Sequence, residues 1–241
     1  MARRRFFVDR ILDNHAELTG DDARHLARVL RAQPGQRYEI SDNQRAYLAE
    51  IAAVTAREVT FAIIEKLPAP PPAPEIALYA ALFKFDRFEW LIEKATELGV
   101  SRLIPVNAAR TEKGLASAAA KRIDRWRKIA RESSQQARRL RLPELSPVEP
   151  FATAIASRVP HRFLLDQQPG APPILKSFPP IAAADAISIL TGPEGGWTDH
   201  ERAAALTVGW KALSLSANIL RAETAAIAAL AVLSQAGQAG S

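Results

Sequence analysis

The chain has 241 residues, 48% of them hydrophobic, with no cysteine and a formal net charge of +6. That length allows one large domain or two small ones, and the apolar content suffices for a sizeable core. The missing cysteine excludes disulfides, thiolate metal sites and cysteine nucleophiles, while the basic excess points to a polyanionic partner, nucleic acid ahead of a membrane.

The N-terminus is basic, Arg3-Arg4-Arg5, but no long apolar run follows, so no signal peptide is expected. Short β-type runs come next: Arg5 to Val8, Gln36 to Ile40, Ala46 to Ile51 and Glu58 to Ile64. Pro34-Gly35 and Ser41-Asp42-Asn43 punctuate them as turns. Asp21 to Arg31 reads as a helix with Leu26, Val29 and Leu30 on one face. A small β-barrel with one helix, residues 1–67, fits this pattern. Residues 68–74 carry five prolines in seven positions. They favour extended polyproline II and read as a semi-rigid linker.

Strands then alternate with helices over residues 75–241. The near-continuous apolar run Ile76 to Phe83 suits a strand covered on both faces. Asp86 is expected to cap a helix that Gly99 stops, and Arg102 to Val106 is the next strand. A helix is expected over Ala118 to Leu140. Strands follow at His161 to Leu165, Ile187 to Leu190 and Ala212 to Leu215, with helices at Asp199 to Leu206 and Leu220 to Gln235. Alternation of this kind predicts an α/β domain with a mostly parallel sheet. The apolar stretch Ile219 to Leu233 carries Arg221 and Glu223 and is too short and polar to span a bilayer. A cytoplasmic protein without a membrane partner is expected.

Three features carry chemistry. Lys121 to Arg141 holds nine Lys or Arg against Asp124 and Glu132, on an apolar stripe of Ile123, Trp126, Ile129, Ala130, Ala137 and Leu140. One sign dominates, which matches a phosphate backbone better than an ordinary solvated face. Arg3, Arg4, Arg5, Arg24, Arg28 and Arg31 extend that surface, and Arg141 closes the basic run. The second feature is the order strand, Thr191-Gly192-Pro193-Glu194-Gly195-Gly196, then a helix whose Thr198-x-x-Glu201 has capping-box spacing. Glycines there let a small cofactor approach the backbone. The third repeats the logic, with Leu213 to Leu220 leading to Arg221, Glu223 and Thr224. Two loops leaving strand ends can form one crevice. The glycine loop fits neither G-x-G-x-x-G nor a P-loop, no G-x-S-x-G elbow is present, and His15, His25, His161 and His200 show no ligand spacing, so no metal is expected.

Taken together, Thr191-Gly192-Pro193-Glu194-Gly195-Gly196 and Ile219-Leu220-Arg221-Ala222-Glu223-Thr224-Ala225 closely resemble the small-subunit (16S) ribosomal RNA uridine-N3 methyltransferases of the SPOUT, or trefoil-knot, class. The resemblance runs nearly end to end. His25 to Arg31 matches an N-terminal helix of that family, and Lys94-Ala95-Thr96-Glu97-Leu98-Gly99-Val100 matches its K-A-T-E-L-G-V. Pro105, Arg110, Trp126, Gln136, Arg139 and Pro143 fall at its spacing. One stretch departs: the family's Leu-Gly-Pro-Arg is Leu215-Ser216-Ala217-Asn218 here. Ser and Ala stay small and Asn tolerates left-handed backbone geometry, so the pocket is expected to survive.

The resemblance implies a PUA-like RNA-binding barrel, a knotted α/β domain, a homodimer, and S-adenosylmethionine as cofactor. It places the cofactor against Leu190, Thr191, Gly192, Pro193, Glu194, Gly195 and Gly196, and against Leu215, Ser216, Asn218, Leu220 and Thr224. RNA, within the small ribosomal subunit, is placed against Arg110, Gln136 and Arg139 together with the basic residues above. Methylation at uracil N3 requires loss of a weakly acidic proton, and the negative charge spreads to the flanking carbonyl oxygens. A fixed cation stabilises that charge, and Arg221 is the candidate. Glu223 or Glu194 is either the base or a brace for Arg221 and the loop. Two alternatives stay open at this point: a non-catalytic RNA-binding assembly factor that kept the fold, and a knotted enzyme acting on a ribose 2′-oxygen.

Overall fold

The computed structural model describes residues 4–168, 170–177 and 179–236; Arg3 lies outside them. The chain forms two compact units, one of residues 1–71 and 131–142, the other of residues 72–130 and 143–241.

The first unit is a six-stranded sheet with one short helix. Its elements are β1 (Arg5–Phe7), β2 (Arg10–Leu12), β3 (His15–Thr19), α1 (Gly20–Arg24), β4 (Arg37–Ser41), β5 (Ala46–Val54) and β6 (Glu58–Lys66). The strand order is β1-β4-β5-β6-β3-β2, with β1 parallel to β4 and the other pairs antiparallel. β1 and β2 stand at opposite edges yet are separated by only Val8 and Asp9. Two intervening residues reach at most about 11 Å, whereas the edges of six flat strands lie about 24 Å apart. The sheet must therefore curl, and the two register shifts between β5 and β6 help it bend. Phe6, Leu18, Leu26, Ile40, Ile51, Val59 and Phe61 fill its interior.

The helix expected over Asp21 to Arg31 is shorter and changes character. α1 gives way to a π-helical turn, His25–Val29, and Arg31 takes a left-handed φ of 49°. Arg131–Leu142 belongs to this unit through specific bonds. Arg131 Nε donates to Asp22 at 2.6 Å, Gln135 Nε2 to the same carboxylate at 2.8 Å, and Ser41 Oγ to the Leu140 carbonyl at 2.6 Å. Arg5 and Arg138 both pair with Glu39.

The second unit is built from β7 (Glu75–Ala81), α2 (Phe85–Glu97), β8 (Arg102–Asn107), α3 (Leu115–Ala120), α4 (Ile123–Gln136, with the first unit from Arg131 on), β9 (Glu144–Leu145), β10 (Glu149–Pro150), α5 (Phe151–Ala154), β11 (His161–Leu165), α6 (Ile174–Ser177), β12 (Ala186–Thr191), α7 (Asp199–Thr207), β13 (Lys211–Leu213) and α8 (Ala222–Ala236). Strands run in the order β10-β8-β7-β12-β11-β13, with β9 also on β8, and every pairing is parallel. Period-two alternation splits β8, β7, β12 and β11 between two cores. Ile76, Leu78, Phe163, Ile187 and Ile189 meet α2 and α8 on one face. Tyr79, Ile104, Leu164 and Leu190 meet α5 and α7 on the other.

Two local expectations are corrected. Asp86 does not cap α2: Lys84 holds the N-cap position without a side-chain bond, and Asp86 sits in the first turn, where its charge favours the helix dipole. The helix expected from Ala118 to Leu140 breaks into α3 and α4 around Lys121 and Arg122, and Arg138 is left-handed at φ 54°. The Gly99 stop is as expected, at φ 91°.

Candidate active site

β12, β11 and β13 lie side by side and parallel, so their C-terminal ends open on the same edge. Each continues into a loop: Gly192 to Thr198 from β12, Asp166 to Gln168 from β11, and Ser214 to Arg221 from β13. The three loops enclose a cavity of about 340 Å³, within the range of small-molecule sites. Thr191, Gly192, Pro193, Glu194, Gly195, Gly196, Leu215, Ser216, Asn218, Leu220 and Arg221 all line it. Leu190 lies behind it in the sheet core, fully buried. Thr224 and Glu223 are not in its lining. Thr224 is exposed on α8, while Glu223 is buried in the first turn.

The glycine loop is held from several sides. Gly196 N–H donates to the Pro193 carbonyl at 2.8 Å, closing a turn in which Gly196 takes φ 68°. A side chain is disfavoured at that φ. A Cβ on Gly192 would lie 3.2 Å from the Trp197 ring, so Gly192 packs directly against the indole. The Trp197 ring is itself buried, donates Nε1 to the Leu165 carbonyl at 3.1 Å, and packs against Phe151 with centroids 5.4 Å apart. Arg110 reaches in from beyond β8 and donates to the Gly195 carbonyl at 2.7 Å. Arg110 therefore lines the cavity and fixes its loop.

Behind the loop the expected capping box is complete. Glu201 N–H donates to Thr198 Oγ1 at 3.2 Å, and Glu201 Oε2 accepts from Thr198 N–H at 2.9 Å. Thr198→Ala is expected to lower the stability of this unit by about 1 kcal/mol, read as a lower urea midpoint. An unchanged midpoint would mean that the bond from Ala109 N–H to Glu201, 2.7 Å, fixes the helix start without the threonine.

Three features escaped the sequence reading. Asp166 and Gln168 come from the strand between the two recognised loops; Arg202 Nε donates to Asp166 at 2.6 Å inside the cavity wall. That hydrogen bond pushes the Arg202 guanidinium above its ordinary pKa. Arg87 on α2 donates to Glu194 at 2.6 Å and lies 3.9 Å from Glu223. The Thr191 hydroxyl is buried at the cavity with no hydrogen-bond partner among the described residues.

Arg221 stands immediately before α8 rather than on it, and its carbonyl caps the helix by accepting from Ala225 N–H at 2.9 Å. Its guanidinium is exposed at the cavity and makes no hydrogen bond or ion pair among the described residues.

The basic segment is less free than its charge implied. Arg122 and Arg125 pair with Glu89, Arg127 with Asp124, Arg131 with Asp22 and Arg138 with Glu39. Glu89, Asp22 and Glu39 come from distant elements, so the local charge count overstated the unpaired positive charge. The Glu89 carboxyl is held below its usual range, first by the Arg125 hydrogen bond. Gln136 and Arg141 are exposed, and burial pushes the Arg139 guanidinium down to about 10, still protonated at neutral pH. Arg4, Arg28 and Arg31 are exposed on the first unit. Among the described residues no group of three or more His, Asp or Glu gathers as a metal site, and no helix is long and apolar enough to cross a membrane.

Comparison with known proteins places this architecture. Residues 70–234 match an RNA methyltransferase domain and residues 18–64 an RNA methyltransferase PUA domain. Ribosomal RNA small subunit methyltransferase E of Synechocystis is 32% identical, aligned over 92% of this chain and 74% of that protein. Its namesake from Mycobacterium bovis is 31% identical over 93% and 88%. Among solved structures, a Legionella pneumophila methyltransferase with bound SAM superposes with a TM-score of 0.87 at 26% identity, covering 98% of each chain. The methyltransferase E of Neisseria gonorrhoeae bound to S-adenosylmethionine gives 0.83 at 26% identity over 96% of each. With its α/β unit, its curled N-terminal sheet and its near full-length relatives, the chain belongs to the ribosomal RNA small subunit methyltransferase E family of RNA methyltransferases.

Proposed function

We propose that this chain transfers a methyl group from S-adenosylmethionine to N3 of a uridine in 16S ribosomal RNA. The observation that carries the reading is one cavity, walled by backbone from three parallel strand ends, with an unengaged guanidinium, Arg221, in its lining. The residues fit the cofactor. Thr191 offers a buried hydroxyl without a partner among the described residues, and Gly192, Gly195 and Gly196 add no side chain of their own to the wall. Backbone groups of Gly192, Gly195, Leu215 and Leu220 would hold it, and it supplies an electrophilic methyl group when bound.

Arg221 then acts on the nucleobase. Its guanidinium faces the oxygens where charge develops as the N3 proton leaves. Glu194 and Glu223 are both turned toward Arg87, which supports bracing over base chemistry for each. The base itself must leave any stack to enter the cavity. Gln136, Arg139 and Arg141, with Arg4, Arg28 and Arg31, are the proposed RNA contacts. A cytoplasmic homodimer with a knotted C-terminal domain, acting on the small ribosomal subunit, completes the reading.

The test has two stages. Calorimetry with S-adenosylmethionine and S-adenosylhomocysteine is expected to give saturable binding. Small subunits lacking the modification, incubated with enzyme and cofactor, are expected to yield 3-methyluridine on nucleoside mass spectrometry. A 2′-O-methyl nucleoside would move the reaction to the ribose. No binding and no product would leave an RNA-binding factor.

A further inference from the structure

Arg87 is contributed by α2, far in sequence from the glycine loop and from α8, yet its side chain meets an acid on each. Nη1 donates to Glu194 Oε1 at 2.6 Å, and Nε lies 3.9 Å from Glu223 Oε1. Glu194 sits within the glycine loop, and Glu223 lies two residues past Arg221 in the first turn of α8. The mount is rigid. Phe88, next in sequence, is fully buried and packs on Phe83 and Trp126 with centroids 5.2 and 4.8 Å apart. The Glu223 side chain is only 7% exposed, and its Oε2 has no hydrogen-bond partner among the described residues. A carboxylate so placed depends on the Arg87 cation beside it, because burying an uncompensated charge is costly. Glu194, at 44% exposure, contributes a weaker and screened contact.

We propose that Arg87 is a positioning residue for methyl transfer, one guanidinium that ties the glycine loop to the start of α8 and so fixes both walls of the cavity. The inference rests on the methyl-transfer reading for its purpose. The tie itself concerns only this chain's residues. With Arg87 in place, the backbone facing the methyl donor and the arginine facing the nucleobase keep one spacing. Without it, two carboxylates lose their shared partner, and the glycine loop and the start of α8 lose the side chain that links them. Small misplacements of reacting groups cost large factors in rate.

Two amides report on the two walls. Gly196 N–H is protected by the Pro193 carbonyl, and Ala225 N–H by the Arg221 carbonyl. Hydrogen exchange of the full-length, ligand-free protein, followed by NMR, is expected to quicken about tenfold at both amides in Arg87→Ala. Glu194→Gln is expected to quicken Gly196 alone. Wild-type rates at both amides in Arg87→Ala, or a change at only one, overturn the tie. If Arg87→Ala fails to fold, Glu194→Gln carries the test, and a wild-type rate at Gly196 overturns it. Calorimetry with S-adenosylmethionine separates the two claims. A wild type that neither binds the cofactor nor yields the methylated nucleoside overturns the methyl-transfer reading, and the exchange rates still decide the tie. A wild type that binds is expected to lose about tenfold in affinity in Arg87→Ala, and equal affinity overturns the positioning role alone.

Discussion

Arg221→Ala is expected to slow single-turnover methyl transfer by about 10²- to 10³-fold, the usual cost of removing one group aimed at developing negative charge. The guanidinium is exposed in the cavity lining and makes no bond among the described residues, so its loss breaks no structural contact. Stability is therefore expected to stay within about 0.5 kcal/mol of wild type, as for surface substitutions in general. Ala225 N–H bonds the backbone carbonyl at 221, which alanine retains, so the start of α8 survives. The signature is a fall in kcat with a small change in KM for the methyl donor, which marks an interaction made in the transition state. Arg221→Lys keeps the charge but not the planar fork, and is expected to recover only part of the rate. Near-normal turnover in Arg221→Ala would remove this residue from the chemistry. An equal loss of cofactor affinity would make it a binding residue instead.

The parts of this site that were legible in the sequence are local ones. The glycine loop, the Thr198–Glu201 box and the small residues before α8 each act within a few positions of one another, so spacing alone reveals them. The parts that were hidden depend on strand order. Asp166 and Gln168 reach the cavity only because β11 lies between β12 and β13, and no periodicity states that. Arg87 meets Glu194 across 107 residues. The basic segment misled for the same reason. Its excess of cations is real, but Glu89, Asp22 and Glu39 reach it from elsewhere in the chain. β2 and β3 escaped because what defines them is pairing, β3 with β2 beside it and with β6 far along the chain, and no local pattern states the second. Asp86 had the right chemistry for a cap but stands inside the first turn.

Trp197→Ala is expected to be the most destabilising single change at the site, by about 3–5 kcal/mol, the range for deleting a buried aromatic side chain. The indole is 4% exposed, packs on Phe151, donates to the Leu165 carbonyl and backs Gly192. Removing it opens a void under the loop and frees a buried carbonyl at the end of β11. Trp197→Phe separates the two effects. It keeps most of the packing and loses the N–H donor, so its cost is expected to be smaller, about 1–3 kcal/mol for the unsatisfied carbonyl. Urea unfolding measures both, and cofactor affinity is expected to fall further in the alanine variant than in the phenylalanine one, because only the first removes the floor of the loop. Gly192→Ala then provides an internal check. In the wild type its Cβ would crowd the indole at 3.2 Å; in the Trp197→Ala background that crowding is gone. The two substitutions are in contact and should not be additive, with Gly192→Ala costing less in the second background than in the first. Additive costs, or a Trp197→Ala variant no weaker than Trp197→Phe, would show that the glycine loop holds its shape without the ring beneath it.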